Sequence, residues 1–417
     1  GNMLAEGARQ FAQGKRPQMH QLLLTPANAR RVADQLAQLR GAAMKVGQLL
    51  SMDAGELLPP ELAEILSRLR ADAIPMPMSQ VVSALNTNWG EGWDRHFERF
   101  SFTPMAAASI GQVHFGQRKD GRKVAVKIQY PGIRRSIDSD VDNVATLLRV
   151  SGLLPKSLDI KPLLDEAKKQ LHDEADYRRE GACMMQFASL LADADEFMVP
   201  EMHDDLTTEN ILAMTRLDGD AVETLIHLTQ AERDRIVSQL FRLLFREIFE
   251  FRLIQTDPNF ANYRYAAASR QLILLDFGAT RAYPASMVDS YRQLMNCATR
   301  NDRQGMDEAA VAIGYFQQDI KKNQRQAVLD IFALACEPLG HIGEYDFGAS
   351  DLGVRIRDAG MVLGMDRDFW HTPPADALFL HRKLGGLYLL AAKLKARLDV
   401  NGLAGSLLGL ETTVTEA

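Results

Sequence analysis

Apolar residues in the first 100 positions recur at helical spacing. Six of them follow one another in steps of three and four, the period of one buried helix face: Val32, Leu36, Leu39, Ala43, Val46 and Leu50. Thr25 and Pro26 supply an N-cap and a proline at the first helical position, and Pro60 begins a second predicted helix. Residues 75–78, two Pro-Met pairs, are predicted to be a linker. Residues 1–100 are therefore predicted to form a helical extension.

Between residues 101 and 217 the pattern changes to short strands. Residues 113–115 and 123–128 are β-prone runs joined by a hairpin turn at Lys119-Asp120-Gly121. A long helical stretch over 137–191 and two further strands, at 197–199 and 211–215, are predicted. From 218 to 417 the pattern is helical except for predicted strands at 251–254 and 271–275. The fold class is therefore α+β, in three parts: 1–100, 101–217 and 218–417.

Composition excludes several classes of protein. Hydrophobic residues make up 46% and charged residues 24% of the 417 residues, which is ordinary globular composition. The net charge of −6 argues against a general nucleic-acid binder. Three dispersed cysteines favour a reducing compartment over a disulfide framework. No apolar run reaches the roughly 20 residues of a membrane span, and no signal peptide is evident, so a cytoplasmic protein is expected.

Three motifs in a fixed order carry the chemistry. An alanine-rich loop over 106–113 precedes the strand Val124-Ala-Val-Lys127, Asp257 lies five residues before Asn262, and Asp276-Phe-Gly278 follows. Each motif alone is weak evidence, since such short strings occur by chance. Their order and spacing match a protein-kinase-like phosphoryl-transfer site far better than they match polar residues on solvated loops.

The residue types explain the chemistry. Asn262 and Asp276 offer the hard oxygen ligands that Mg²⁺ (or Mn²⁺) prefers when it is held against phosphates. Lys127 supplies fixed positive charge at the phosphates of ATP or ADP, and Asp257 is placed to accept a proton from, or to orient, a hydroxyl or water. The fold also needs a helix glutamate to pair with the strand lysine, and both Glu174 and Glu180 are candidates.

The phosphate loop departs from that of ordinary protein kinases. In the pattern Gly-x-Gly-x-x-Gly-x-Val, Ala106 and Ala108 take the first two glycine positions, and only Gly111 and Val113 remain. Alanine restricts positive φ and keeps a methyl group near the phosphates. The loop is therefore predicted to be stiffer and to bind nucleotide differently.

The context for a peptide substrate is also missing from the sequence. Gln255-Thr256 stands where His-Arg usually precedes the catalytic aspartate. The chain runs from Gly278 through Pro284 into a helix predicted at about Ser286, without an activation segment. Conventional protein kinase activity is therefore doubtful.

Further strings resemble the UbiB/AarF family of atypical kinase-like proteins. They are Lys45-Val-Gly-Gln48 in the extension, the alanine-rich loop running to His114, and Glu174-Ala-Asp176. The strings over 255–262 and 275–281 are most similar to the mitochondrial branch and its bacterial relatives. The resemblance covers about residues 25–300.

The resemblance implies a bilobal protein-kinase-like fold, with the helical extension covering the active site and a mostly helical C-lobe. It implies that Lys45 pairs with Glu174 and Lys127 with Glu180, and it adds Gln48 and Asp176 to the catalytic set. The strand ending at Thr215 should lead into the adenine-binding hinge, with Thr215, Arg216 and Leu217 as backbone contacts. The other nucleotide contacts are expected in the loop and strand: Ala106, Ala107, Ala108, Ser109, Gly111, Val113 and Lys127.

The resemblance also implies an ATPase that supports ubiquinone biosynthesis and is stimulated by membrane lipid and small phenolic compounds. Expected partners are a phenolic or prenyl-lipid ligand, lipid-biosynthesis enzymes and the surface of the inner membrane. Two alternatives remain open: a small-molecule or protein phosphotransferase, and a pseudokinase acting as a nucleotide-switched binding module.

Overall fold

A computed structural model describes residues 26–54, 60–71, 74–154, 159–257, 259–316, 320–364 and 373–409. Most of the chain in these ranges is helical. The helices, in chain order, are α1 (Pro26–Gln38), α2 (Arg40–Ala54), α3 (Pro60–Ala71), α4 (Met78–Trp89), α5 (Ile133–Ser151), α6 (Lys161–Glu174), α7 (Tyr177–Leu190), α8 (Gln230–Arg246), α9 (Ala285–Thr299), α10 (Arg303–Ile313), α11 (Lys322–Ala335), α12 (Glu337–Gly340), α13 (Leu352–Gly364), α14 (Ala375–Lys393) and α15 (Val400–Leu408).

The strands are short and fall into four groups. In chain order they are β1 (Phe97–Phe100), β2 (Ala106–Ala107), β3 (Gly111–Arg118), β4 (Lys123–Gln129), β5 (Phe197–Met198), β6 (Ile211–Thr215), β7 (Asp220–Ala221), β8 (Leu253–Gln255), β9 (Tyr263–Ala266), β10 (Gln271–Leu274), β11 (Thr280–Ala282), β12 (Tyr345–Asp346) and β13 (Arg397–Leu398).

The chain forms two compact units. The first unit contains the residues up to Gly181 together with Met202–Arg216, and the second contains Ala182–Glu201 together with the residues from Leu217 onward. Within the described ranges, no helix combines the length and apolarity that a bilayer crossing requires. The kinase-like α+β fold predicted from the sequence is confirmed, whereas the predicted three-part division stays a prediction.

The first unit is built on an antiparallel sheet in the order β1-β3-β4-β6, and β2 also pairs with β3, at residues 112 and 113. Along β4, Val124, Val126 and Ile128 are fully buried against a core that includes Val81 of α4. Because successive side chains of a strand point to opposite faces, Lys127 lies on the other face of β4. The predicted hairpin is confirmed, and Gly121 in its turn has a φ of +91°.

Two predictions for the first unit were wrong in detail, and a third was incomplete. The apolar face over 32–50 belongs to two helices, because the helix is interrupted at Leu39, between α1 and α2. The predicted helix over 137–191 is three helices, the first ended by Gly152 in the left-handed region. The predicted linker contains Met76, which is buried in the core and donates its N–H to Gln112 Oε1 at 2.8 Å.

The second unit contains a four-stranded sheet in the order β5-β10-β9-β7, in which β5 and β10 are parallel. It also contains an antiparallel ribbon of β8 and β11. The strand predicted at 251–254 is shifted, because Glu247–Phe251 forms a π-helix that ends at Arg252 with a φ of +52°. The strand therefore begins at Leu253.

Candidate active site

Lys127 and Glu180 form an ion pair in the first unit. The Lys127 ammonium lies 3.0 and 3.1 Å from the two oxygens of Glu180, whose side chain is 2% exposed. Glu180 lies in the first turn of α7, where the helix dipole favours a carboxylate. The pair fixes the direction of the lysine before any ligand is bound.

A second ion pair joins the extension to the rest of the first unit. Lys45 on α2 lies 2.5 Å from Glu174 Oε1, and Ser109 Oγ donates to the other oxygen of Glu174 at 3.0 Å. Lys45 also donates to Gln48 Oε1 at 3.4 Å. Gly41 suits the close approach of α2 to the alanine-rich loop, because a Cβ there would make a tight contact of 3.1 Å with the Ser109 carbonyl oxygen. Glu174 therefore ties together three segments of the chain.

Both ion pairs are those implied by the resemblance, although the expected geometry was incomplete. Glu174 ends α6 and Glu180 begins α7, so the two glutamates lie on different helices. Asp176 lies in the connection, where its carboxylate accepts the Arg179 N–H at 3.2 Å. This hydrogen bond caps the start of α7 and gives Asp176 a local structural role.

The alanine-rich loop is a paired hairpin. Ala106 pairs with Val113 and Ala107 with Gln112, and the Ala108 N–H donates to the Gly111 carbonyl at 2.8 Å. Gly111 is required by close packing, since a Cβ there would lie 2.2 Å from the Ile128 carbonyl oxygen. The loop thus has its own backbone pairing, which fits the stiffness predicted from its alanines.

The predicted hinge residues have different local environments. Thr215 Oγ1 lies 3.1 Å from His203 Nε2, and the Arg216 N–H donates to the Lys123 carbonyl at 3.0 Å. The Arg216 amide is therefore engaged in strand pairing. Leu217 is the first residue of the later segment of the second unit.

Asp257, Asn262 and Asp276 lie in the second unit on the loops that leave β8 and β10. Asp257 accepts the Asn259 N–H at 2.9 Å and the side-chain amide of Asn262 at 3.0 Å. Asp276 accepts the Gly278 N–H at 3.0 Å, and the Leu275 N–H donates to the Asn262 carbonyl at 3.2 Å. The second of these bonds links the two loops to each other.

This donor set fits a hard divalent cation. The Asp276 carboxylate and the Asn262 amide oxygen match the ligands of Mg²⁺, which usually binds few protein groups and shares the rest of its shell with water and phosphate. Among the described residues, no group of three or more His, Cys, Asp or Glu side chains is arranged to hold a metal. A metal shared with a phosphate ligand suits these loops better than an all-protein cage.

Sequence reasoning missed two buried charged residues behind the Asp257 loop. Lys383 on α14 is 3% exposed and Glu247 in the π-helix is 1% exposed. Burial lowers the pKa of Lys383, while the nearby charges of Glu247 and Asp257 act to raise it. For the carboxyl group of Glu247, burial acts in the opposite direction and raises the pKa. The available signal was a charged residue inside an apolar helix segment, which is uncommon unless the charge is compensated.

The sequence is similar to known proteins over most of its length. Residues 68–310 match the ABC1 atypical kinase-like domain. The chain is 37% identical over 395 residues to the atypical kinase COQ8, mitochondrial, of Saccharomyces cerevisiae, covering 95% of this chain and 79% of that protein. It is 40% identical over 375 residues to the atypical kinase COQ8B, mitochondrial, of Rattus norvegicus, covering 90% and 71%.

The fold is similar to that of solved structures, among them a mycobacterial protein. The Rv3197 protein of Mycobacterium tuberculosis, determined as a complex with erythromycin, aligns with a TM-score of 0.62 at 24% identity. The alignment covers 97% of this chain and 98% of that one. At this identity the likeness concerns the fold alone.

Proposed function

Because the chain belongs to the ABC1, or UbiB/AarF, family of atypical kinase-like proteins, we propose that it binds ATP or ADP with Mg²⁺ (or Mn²⁺), hydrolyses ATP, and supports ubiquinone or related lipid metabolism. The observation that carries the proposal is the pair of preformed Lys–Glu contacts in the first unit, together with the Asp-Asn-Asp set of the second unit.

The residues divide the chemistry between the two units. In the first unit, Lys127 offers its ammonium to the nucleotide phosphates while Glu180 keeps it directed. In the second, Asn262 and Asp276 would hold the metal, which when bound neutralises charge on the phosphates. Asp257 accepts a proton from the attacking water or hydroxyl.

The acceptor is the point on which the proposal departs from a peptide kinase. Only β11 and a short connection lie between Gly278 and the start of α9 at Ala285. This leaves little chain to build a docking platform for a peptide. Water is therefore the favoured acceptor, and the hydroxyl of a small phenolic compound is the acceptor that the phosphotransferase alternative would use.

The test is to measure nucleotide affinity and phosphate release on the same preparation. With Mg²⁺ and ATP carrying a labelled γ-phosphate, we expect free phosphate to appear. We expect the rate to rise when anionic vesicles or a small phenol are added. Label on an added phenolic or protein acceptor would support a phosphotransferase instead. Tight nucleotide binding without turnover under any of these conditions would support a pseudokinase switch.

We also infer that contact with a membrane is peripheral and that the partners are lipid-biosynthesis enzymes. The mitochondrial relatives named above support this inference. Co-flotation with vesicles, reversed by high salt, is the expected result. Recovery of all the protein in the unbound fraction at every lipid composition would contradict it.

A further inference from the structure

The two loops with the Asp257 and Asp276 carboxylates leave the same end of one ribbon. In that ribbon Gln255 of β8 pairs with Thr280 of β11. The Thr256 N–H and hydroxyl both donate to the Ala279 carbonyl, at 3.1 and 2.6 Å, and extend the pairing toward the loops. Contacts that hold this ribbon in place therefore restrain the loops that carry both carboxylates.

One face of α14 contacts the β11 side of this ribbon. Arg281 Nε lies 2.9 Å from Asp376, and its guanidinium lies 5.1 Å above the Phe379 ring. The Tyr283 hydroxyl donates to the Asp376 carbonyl at 2.6 Å. Residues 376, 379 and 383 share this face, because positions three, four and seven apart align on a helix.

The same face holds β8 through Lys383. The buried Lys383 ammonium donates to the Gln255 backbone carbonyl, to Gln255 Oε1 at 2.8 Å and to the Tyr263 hydroxyl at 2.6 Å. An ammonium has three N–H donors, so these acceptors match its full capacity. Tyr263 belongs to β9, and the lysine therefore also joins the ribbon to the neighbouring sheet.

Glu247 holds the other side of the same residue. Its carboxylate accepts the Gln255 N–H at 2.7 Å. Glu247 begins the π-helix, an irregularity that is rare in helices and frequent at functional sites. Gln255 lies two residues before Asp257. Its backbone N–H is thus held by the buried Glu247 carboxylate, and its backbone carbonyl is held by the buried Lys383 ammonium.

We propose that Lys383, opposed by Glu247, is a positioning residue that clamps the ribbon so that Asp257 and Asp276 keep their catalytic placement. A buried charge is costly to hold, and an apolar side chain of equal volume would pack more cheaply. The presence of a lysine at this position is explained by its contacts, which hold Gln255 and Tyr263 in place. The proposal rests on the proposed ATP hydrolysis for its activity readout only.

The experiment compares three variants with the parent at a temperature where all are folded. Lys383→Met removes the ammonium and keeps most of the volume. The double variant Glu247→Gln/Lys383→Met removes both buried charges and so avoids an uncompensated carboxylate. Lys393→Met is the matched control, since Lys393 lies on the same helix, is 59% exposed and pairs only loosely with Glu223, at 3.7 Å.

For Lys383→Met we expect the kcat for phosphate release to fall roughly 10²-fold, the effect of a misplacement of about 1 Å. The Kd for Mg·ATP should rise by less than kcat falls, because Asp276 is one of several ligands of the metal whereas Asp257 must lie within catalytic distance of the acceptor. The double variant should recover resistance to denaturant but not kcat, and Lys393→Met should match the parent. Full kcat in Lys383→Met, or recovery of kcat in the double variant, would overturn the proposal.

Hydrogen exchange separates this proposal from the proposed function. Lys383→Met should exchange the amides of 253–263 faster than Lys393→Met does, whether or not the parent hydrolyses ATP. A parent without phosphate release but with this exchange difference would contradict the hydrolysis and keep the clamp. Unchanged exchange in Lys383→Met would refute the clamp.

Discussion

Lys127 and Lys383, one in each unit, are held in opposite ways. The Lys127 ammonium faces both oxygens of the Glu180 carboxylate and is 14% exposed. Lys383 is nearly inaccessible and donates to uncharged oxygens of Gln255 and Tyr263. A phosphate can compete for a lysine that is paired with a carboxylate near the surface. A lysine that saturates backbone and phenol oxygens in the interior acts on the chain itself.

The carboxylates differ between the units in the corresponding way. Glu174 and Glu180 in the first unit receive lysines. Asp257 and Asp276 in the second unit accept N–H groups of their own loops. N–H dipoles orient a carboxylate without cancelling its charge, which suits a group that must bind a cation. The proposed function therefore assigns the anionic phosphates to the first unit and the metal to the second.

The largest expected effect follows from Asp276→Asn. Loss of a metal-binding carboxylate removes several kcal/mol of charge stabilisation, so phosphate release should fall by roughly 10³-fold or more. Titration of activity with Mg²⁺ and Mn²⁺ measures it, and chelation of the metal in the parent should cause the same loss. Wild-type activity in Asp276→Asn at ordinary Mg²⁺ would contradict the division between the units.

Asp257→Asn should lower phosphate release by roughly 10²- to 10³-fold, since a general base contributes about this much. The substitution keeps the size of the side chain, so Mg·ATP affinity should change little. Equilibrium binding beside steady-state turnover checks both. A variant that hydrolyses ATP as fast as the parent would remove Asp257 from the mechanism.

Candidate residues for the site could be picked out from the sequence because each one lies in a short local motif. Lys127 was proposed from the Val124-Ala-Val-Lys127 string, and Asp257 and Asn262 from their spacing. The Lys45–Glu174 pair spans 129 positions and was expected only through the resemblance.

The clamp could not be predicted in this way. Lys383 and Gln255 are separated by 128 positions, and no local pattern links them. The π-helix and β11 were missed for a related reason. Long-range packing sets their conformation, and their own residues do not dictate it. Interruptions of a helix, such as the one at Leu39, depend instead on small local differences.

A smaller effect is expected from Glu180→Gln, measured as stability. Removing one partner of a buried ion pair leaves a charge uncompensated, and the free energy of unfolding should fall by up to about 3 kcal/mol. Asp165→Asn is the control, because its pair with Lys161 is exposed and such pairs contribute about 0.5 kcal/mol or less. Denaturant titration measures both. Equal losses would remove the distinction between buried and exposed pairs.

The smallest expected effect concerns acid. Burial lowers the pKa of His381 in the second unit to about 4. The unfolded state therefore binds the proton more readily than the folded state does. The stabilisation is fully present above the ordinary histidine pKa, and the free energy of unfolding decreases by about 1 kcal/mol as the pH is lowered from about 7 to 5.5. Denaturant titrations across this range should show a shallower slope for His381→Phe.

His114 in the first unit offers the matched comparison. Burial lowers its pKa too, but its hydrogen bond to the Ser101 carbonyl acts to raise it. His114→Phe should therefore change the pH slope less than His381→Phe does. A larger change at His114 would reverse the expected order of acid sensitivity.

The central claim is that Lys127 serves the phosphates while Asn262 and Asp276 hold the metal. A crystal structure with Mg²⁺ and a non-hydrolysable ATP analogue tests it most directly. The prediction is a Mg²⁺ ion about 2.0–2.1 Å from an oxygen of Asn262 and of Asp276, with the Lys127 ammonium on the α- or β-phosphate. A metal bound without Asn262 and Asp276, or phosphates out of reach of Lys127, would contradict the claim.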